Sequence, residues 1–326
     1  MSRKLYTQTA LGLILGSTAM AEAPSVAVDI APVHSLVARV MDGVGAPNLI
    51  IPPGASPHEY SLRPSEAQSL QDADIVFWIG EDLTPWLEKS IDTLSQNAEI
   101  TTLLDQSETK LLKFRENALF EAHDHDDHDD HDDHDHDKSH DDHEDHEGHN
   151  HGTHDPHAWL SIDNAQSWLN VFAAKLSAVD PENADVYYGN AASAIAELDA
   201  VEKEINATLD PVRGNSFVVF HDAYQYFENS FEFFAAGAIS LGDASDPSAA
   251  RIAEVQGRIK NEGIDCVLSE PQYNTNMVAT VLAGTNAKTG VIDPLGSSLE
   301  PGPNLYTELM YGMAAALLGC LSDAKK

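Results

Sequence analysis

From Ile75 the chain runs Val76-Phe77-Trp78-Ile79 to Gly80, apolar almost without interruption. A strand of that character is buried on both faces, which happens when helices cover both sides of a parallel sheet. Other segments repeat the pattern. Val26–Ile30, Asn48–Ile51 and Glu99–Leu104 have strand character, and helical segments Pro32–Met41, Pro64–Leu70 and Pro85–Leu94 lie between them, with Ser65 as the expected cap of the second. The second half repeats the alternation. Strands are predicted over Phe217–Asp222, Ala235–Leu241, Cys266–Glu270 and Lys288–Asp293, and helices over Pro247–Glu262, Asn274–Gly284 and Tyr306–Leu318. Between the halves, Asp163–Ala178 has helical spacing. Pro181–Leu209 carries no proline past its first turn and much Ala, Glu and Leu. It predicts one helix of about 40 Å, long enough to cross between two domains. The fold class is therefore α/β, with two lobes of mainly parallel sheets joined by one long rigid helix.

One stretch cannot join such a core. Residues 121–155 hold twelve of the sixteen histidines: His123, His125, His128, His131, His134, His136, His140, His143, His146, His149, His151 and His154. Sixteen acids and a single lysine accompany them. So little apolar surface predicts a mobile, disordered acidic loop. Imidazole suits borderline divalent ions and carboxylate suits harder ones, so a tract rich in both is expected to hold several ions weakly and exchange them quickly.

The ends bound the compartment. Arg3 and Lys4, the apolar run Leu11–Gly16 and Ala19-Met20-Ala21 read as a secretory signal peptide over residues 1–21. The expected plan is then a first lobe over 22–180 with the loop 121–155 inside it, a linking helix over 181–209 and a second lobe over 210–326. Cys266 and Cys320 are the two cysteines. In an oxidising compartment an even pair invites a disulfide, with two buried thiols as the alternative. The formal charge is −35, and it stays strongly negative without the tract. Nucleic acid is a poor partner for that surface, and cations are good ones.

Four histidines lie outside the tract: His34, His58, His157 and His221. His58 follows the rigid Pro52-Pro53-Gly54-Ala55-Ser56-Pro57 loop, His157 stands where polarity gives way to Ala158-Trp159-Leu160, and His221 ends an apolar strand. Asp293 ends another. Binding residues collect at the carboxyl ends of parallel strands, so a cleft between lobes could gather His58, His157, His221 and Asp293 into a tetrahedral Zn²⁺ site. Glu59 and Glu270 are further carboxylate candidates, and their alternative role is to orient the ligands. His34, in a first helical turn, reads as a packing residue. HExxH, Gly-x-Ser-x-Gly and phosphate-loop motifs are absent from the sequence, and a fully ligated ion favours carriage over catalysis.

Gly54-Ala55-Ser56-Pro57-His58-Glu59-Tyr60, Asp155-Pro156-His157-Ala158-Trp159-Leu160, Val219-Phe220-His221-Asp222 and Ile292-Asp293-Pro294-Leu295-Gly296 resemble, in order, the motifs of the metal-binding components of bacterial zinc and manganese ABC importers. The resemblance spans the mature chain. It implies two α/β lobes with the ion between them, His58, His157 and His221 as imidazole ligands, and Asp293 as the carboxylate. Three histidines and a histidine-rich loop match the zinc branch. Some zinc-type relatives use a Glu just before the first histidine, or a water, as fourth ligand; this chain has Pro57 in that place and Glu59 after the histidine. Cys266 and Cys320 match a family disulfide. The implied partners are a membrane permease and a periplasmic zinc chaperone, and the expected state is a monomer in the periplasm with Zn²⁺ as cargo. A manganese carrier, a zinc buffer and a zinc hydrolase are the alternatives.

Overall fold

The structure is a computed structural model, described here for residues 23–115, 120, 154–240, 248–272 and 275–322. The expected signal peptide and almost all of the His/Asp tract, 121–153, lie outside the described residues.

The first lobe alternates β1 (Val26–Val28), α1 (Ala31–Val40), β2 (Asn48–Leu49), α2 (Pro64–Gln71), β3 (Ile75–Trp78), α3 (Pro85–Leu94) and β4 (Glu99–Thr102). Its strands pair in parallel in the order β2-β1-β3-β4. Helix α2 is capped at Arg63 rather than by Ser65. Glu66 closes the cap, accepting the Arg63 backbone N–H at 2.7 Å. A single 3₁₀ turn, Ala158–Leu160, leads into α4 (Ile162–Val179), and another, Pro181–Asn183, into α5 (Ala184–Leu209). The second lobe follows as β5 (Phe217–His221), α6 (Gln225–Phe231), β6 (Ala238–Ser240), α7 (Ala249–Glu262), β7 (Cys266–Ser269), α8 (Thr275–Leu282), β8 (Lys288–Val291) and α9 (Leu305–Leu321). Its parallel sheet runs β6-β5-β7-β8, the same order as the first.

The long helix is set by its apolar stripe. Tyr187, Ala191, Ala194, Leu198, Val201, Ile205 and Leu209 recur at three- and four-residue steps and are all buried. At 26 residues α5 is about 39 Å long. It packs against α4, α1 and α9, and one continuous core runs through both lobes. A smaller core under α7 and α8 takes Val218, Phe220 and Val267. Their neighbours Phe217, Val219, Cys266 and Leu268 point the other way, into the main core. Strand side chains alternate faces, so His221 falls on the side of Phe217 and Val219. Cys266 and Cys320 form a disulfide with Cα atoms 6.0 Å apart, which fixes α9 to β7.

Buried hydrogen bonds also tie the lobes. The Trp159 indole donates to the Pro294 carbonyl at 2.8 Å, and the Tyr306 hydroxyl donates to the Trp159 carbonyl at 2.8 Å. The Tyr306 backbone N–H donates to Ser35 Oγ at 2.9 Å.

Candidate metal centre

In each sheet the strand connections reverse direction between the first and third strands in chain order, and the carboxyl ends there form a natural crevice. In the second lobe those strands are β5 and β7. His221 is the last residue of β5, and Glu270 follows β7 directly. His58 reaches the same place from the loop after β2, and His157 from the start of the 3₁₀ turn before α4.

These three histidines converge. Each offers a ring nitrogen within 4.8 Å of the others, and they are the only such group among the described residues. Ring centroids lie 4.9 Å apart for His157 and His221, 5.5 Å for His58 and His157, and 5.9 Å for His58 and His221. His157 and His221 are buried, and His58 is half-buried.

One ring is braced by a carboxylate, and a second faces one. Asp155 Oδ1 lies 2.7 Å from His157 Nδ1 and also accepts the His157 backbone N–H at 3.0 Å. This is an Asx turn that fixes ring and backbone together. Glu270 Oε1 faces His221 Nδ1 at 3.3 Å, and its other oxygen accepts from Gln272 at 2.8 Å. A carboxylate at Nδ1 holds the proton there and makes Nε2 the nitrogen that can bind a cation. Burial pushes the Asp155 carboxyl up to about 7, against the lowering effects of the His157 backbone N–H, Arg115 and His221.

Arg115 controls two further buried acids. Its guanidinium donates to both oxygens of Asp222, next to His221, and to Glu228 Oε2 at 2.8 Å. Burial raises both carboxyls and the arginine opposes it. The same segment is anchored by Tyr226, whose hydroxyl accepts the Leu112 N–H and donates to the Asp155 carbonyl, both at 2.9 Å.

Asp293 does not join the three histidines. Its oxygens accept the backbone N–H groups of Leu295, Gly296 and Ser297 at 3.0, 2.9 and 2.7 Å, and the Ser297 hydroxyl at 2.7 Å. The expected carboxylate ligand is thus turned into its own loop, where Gly296 takes the positive φ of 67° that the turn requires. That turn presents the Pro294 carbonyl to Trp159, two residues from His157. Glu59 is exposed and also stands outside the group. His34 is buried in α1 with Nε2 3.1 Å from the Pro47 carbonyl, the packing role its position suggests. Of the tract histidines, only His154 is described. It pairs with Lys113 in an isolated antiparallel bridge and stands outside the cluster.

The family described as "Zinc-uptake complex component A periplasmic" matches residues 26–320. The chain belongs to that family. Among curated relatives of this family member, the high-affinity zinc uptake system protein ZnuA of Brucella suis is 47% identical over 315 residues, covering 94% of both chains. The protein of the same description from Paracoccus denitrificans is also 47% identical, covering 95% of this chain and 97% of its own. A crystal structure of ZnuA shares the fold at a TM-score of 0.72, with 19% identity and coverage of 93% of this chain and 100% of the other.

Sequence reasoning found the three histidines by their places at element ends. It did not find the brace on His157, although Asp155 stands two residues before that histidine, the spacing of an Asx turn. It also passed over Arg115.

Proposed function

We propose that this protein captures Zn²⁺ between its two lobes and delivers it to the membrane permease of an ABC importer. It is a periplasmic solute-binding protein of the zinc-uptake family and not an enzyme. His58, His157 and His221 are the ligands, each binding through a ring nitrogen, and water completes a tetrahedral set. The observation that carries this reading is the meeting of three imidazoles from three distant segments, two of them with carboxylates at Nδ1. Imidazole-rich sites favour borderline ions such as Zn²⁺ over the harder Mn²⁺, which prefers carboxylate. Zn–N bonds of about 2.1 Å place tetrahedral ligand nitrogens about 3.4 Å apart, and the three ring nitrogens here all lie within 4.8 Å of one another.

In this reading the His/Asp-rich tract collects ions weakly, and the cluster is the tight site. Competition titration with a chromophoric zinc chelator tests both parts. His221→Ala and His58→Ala are expected to lose most of the affinity, while deletion of residues 123–151 removes weak sites and keeps the tight one. Loss of the tight site on deleting the tract, or its survival without His221, would overturn the proposal. Mn²⁺ displacing Zn²⁺ at equal concentration would transfer the protein to the manganese branch.

A further inference from the structure

The three imidazoles are held by two different devices. His157 is braced through its own ring by the buried Asp155 carboxylate, and His221 faces the buried Glu270. His58 stands in the loop between β2 and α2, and one side chain from α3 grips that loop on both sides of it. Trp86 Nε1 donates to the Pro57 carbonyl, immediately before His58, at 2.8 Å. The Trp86 rings meet Tyr60, two residues after His58, edge to face with centroids 5.8 Å apart. Tyr60 is itself fixed. Its hydroxyl donates to Glu66 Oε1 at 2.8 Å, and the other Glu66 oxygen closes the cap of α2. Pro52, Pro53 and Pro57 narrow the loop's backbone freedom, and Gly54 supplies its one turn of positive φ, at 82°.

We propose that Trp86 is a positioning residue for His58, clamping the peptide before it and the ring after it so that the imidazole is presented to the cluster before the ion arrives. This rests on His58 being a ligand. Presenting a ligand in advance removes part of the ordering cost of binding, so the clamp acts on how long the ion stays. His58 is the most exposed of the three imidazoles, on a loop rather than at a strand end, and is therefore the ligand by which an ion enters and leaves.

The test uses the full chain carrying Trp86→Phe, which keeps an aromatic ring and removes the N–H, and Trp86→Leu, which removes both grips. Trp86→Phe is expected to raise the zinc Kd roughly tenfold, in the range of other groups that orient ligands, mainly through faster dissociation in stopped-flow chelator competition. Trp86→Leu should go further. The visible spectrum of the Co²⁺-loaded variants should move toward that of His58→Ala, because Co²⁺ reports the imidazoles around it. In a His58→Ala background, Trp86→Phe should change Kd less than twofold, since the residue it positions is gone. Equal weakening in both backgrounds would make Trp86 a general stabiliser and overturn the proposal. So would Trp86→Phe with wild-type Kd and Co²⁺ spectrum. Should Trp86→Leu not fold, Trp86→Phe alone decides. His58→Ala binding as tightly as the intact protein would instead remove the ligand assignment, a result read before the Trp86 variants are compared.

Discussion

Replacing Asp155 by Asn separates the charge of the His157 brace from its shape. The carboxylate is 2% exposed, and one of its oxygens serves both His157 Nδ1 at 2.7 Å and the His157 N–H at 3.0 Å. An asparagine oxygen in the same place keeps both bonds, and the Tyr226 anchor is on the backbone carbonyl and unaffected. What is lost is the negative charge behind a ring that must carry a dication on its far nitrogen. Hydrogen bonds to charged groups contribute about 1.5–3 kcal/mol, against about 1 kcal/mol for neutral ones. The difference is about 0.5–2 kcal/mol, or roughly two- to thirty-fold in Kd. Asp155→Ala loses the orientation as well and is expected to cost roughly a hundredfold. Chelator competition at pH 7.5 gives the affinities, and ¹⁵N spectra of the imidazoles identify the nitrogen that binds. An Asn variant within twofold of wild type, an Ala variant no worse than the Asn, or zinc on Nδ1 of His157 would refute the brace.

Asp293→Asn should lower the melting temperature, because an amide cannot satisfy the four donors the carboxylate now serves. Zinc affinity should fall far less than in any of the three histidine variants; a loss equal to that of His221→Ala would make Asp293 a ligand after all. The shared core along α5 and the bonds from Trp159 and Tyr306 should limit lobe motion. Small-angle scattering with and without zinc should therefore give one radius of gyration, and a contraction on loading would contradict that rigidity.

The strands and the long helix were legible because apolar periodicity is local. Three of the ligand candidates were legible because a histidine at the end of an apolar strand or beside a rigid loop is conspicuous. Asp293 was conspicuous for the same reason, and the structure sets it apart from the three histidines. Asp-Pro after a strand presents the same pattern as His221-Asp222, and only the fold shows that its oxygens turn back to Leu295, Gly296 and Ser297. Asp155 was read as the last acid of a tract because composition hides single residues. Arg115 and Trp86 were illegible for a different reason. Their partners lie far along the chain, 107 residues away at Asp222 and 29 at Pro57, and no local pattern encodes such pairings. Ser65 lost the cap of α2 to Arg63, where Glu66 closes the box from within the helix.

Buried acids lie close to the cluster. Asp155, Glu270, Asp222 and Glu228 are all buried. Burying carboxylates is costly unless each meets compensating charge. Asp222 and Glu228 share the guanidinium of Arg115. Asp155 and Glu270 face the imidazoles of His157 and His221. On the proposed function, an ion held by those imidazoles would place positive charge beside the two carboxylates and lower the cost of burying them. The guanidinium of Arg115 already engages both oxygens of Asp222, the immediate neighbour of His221.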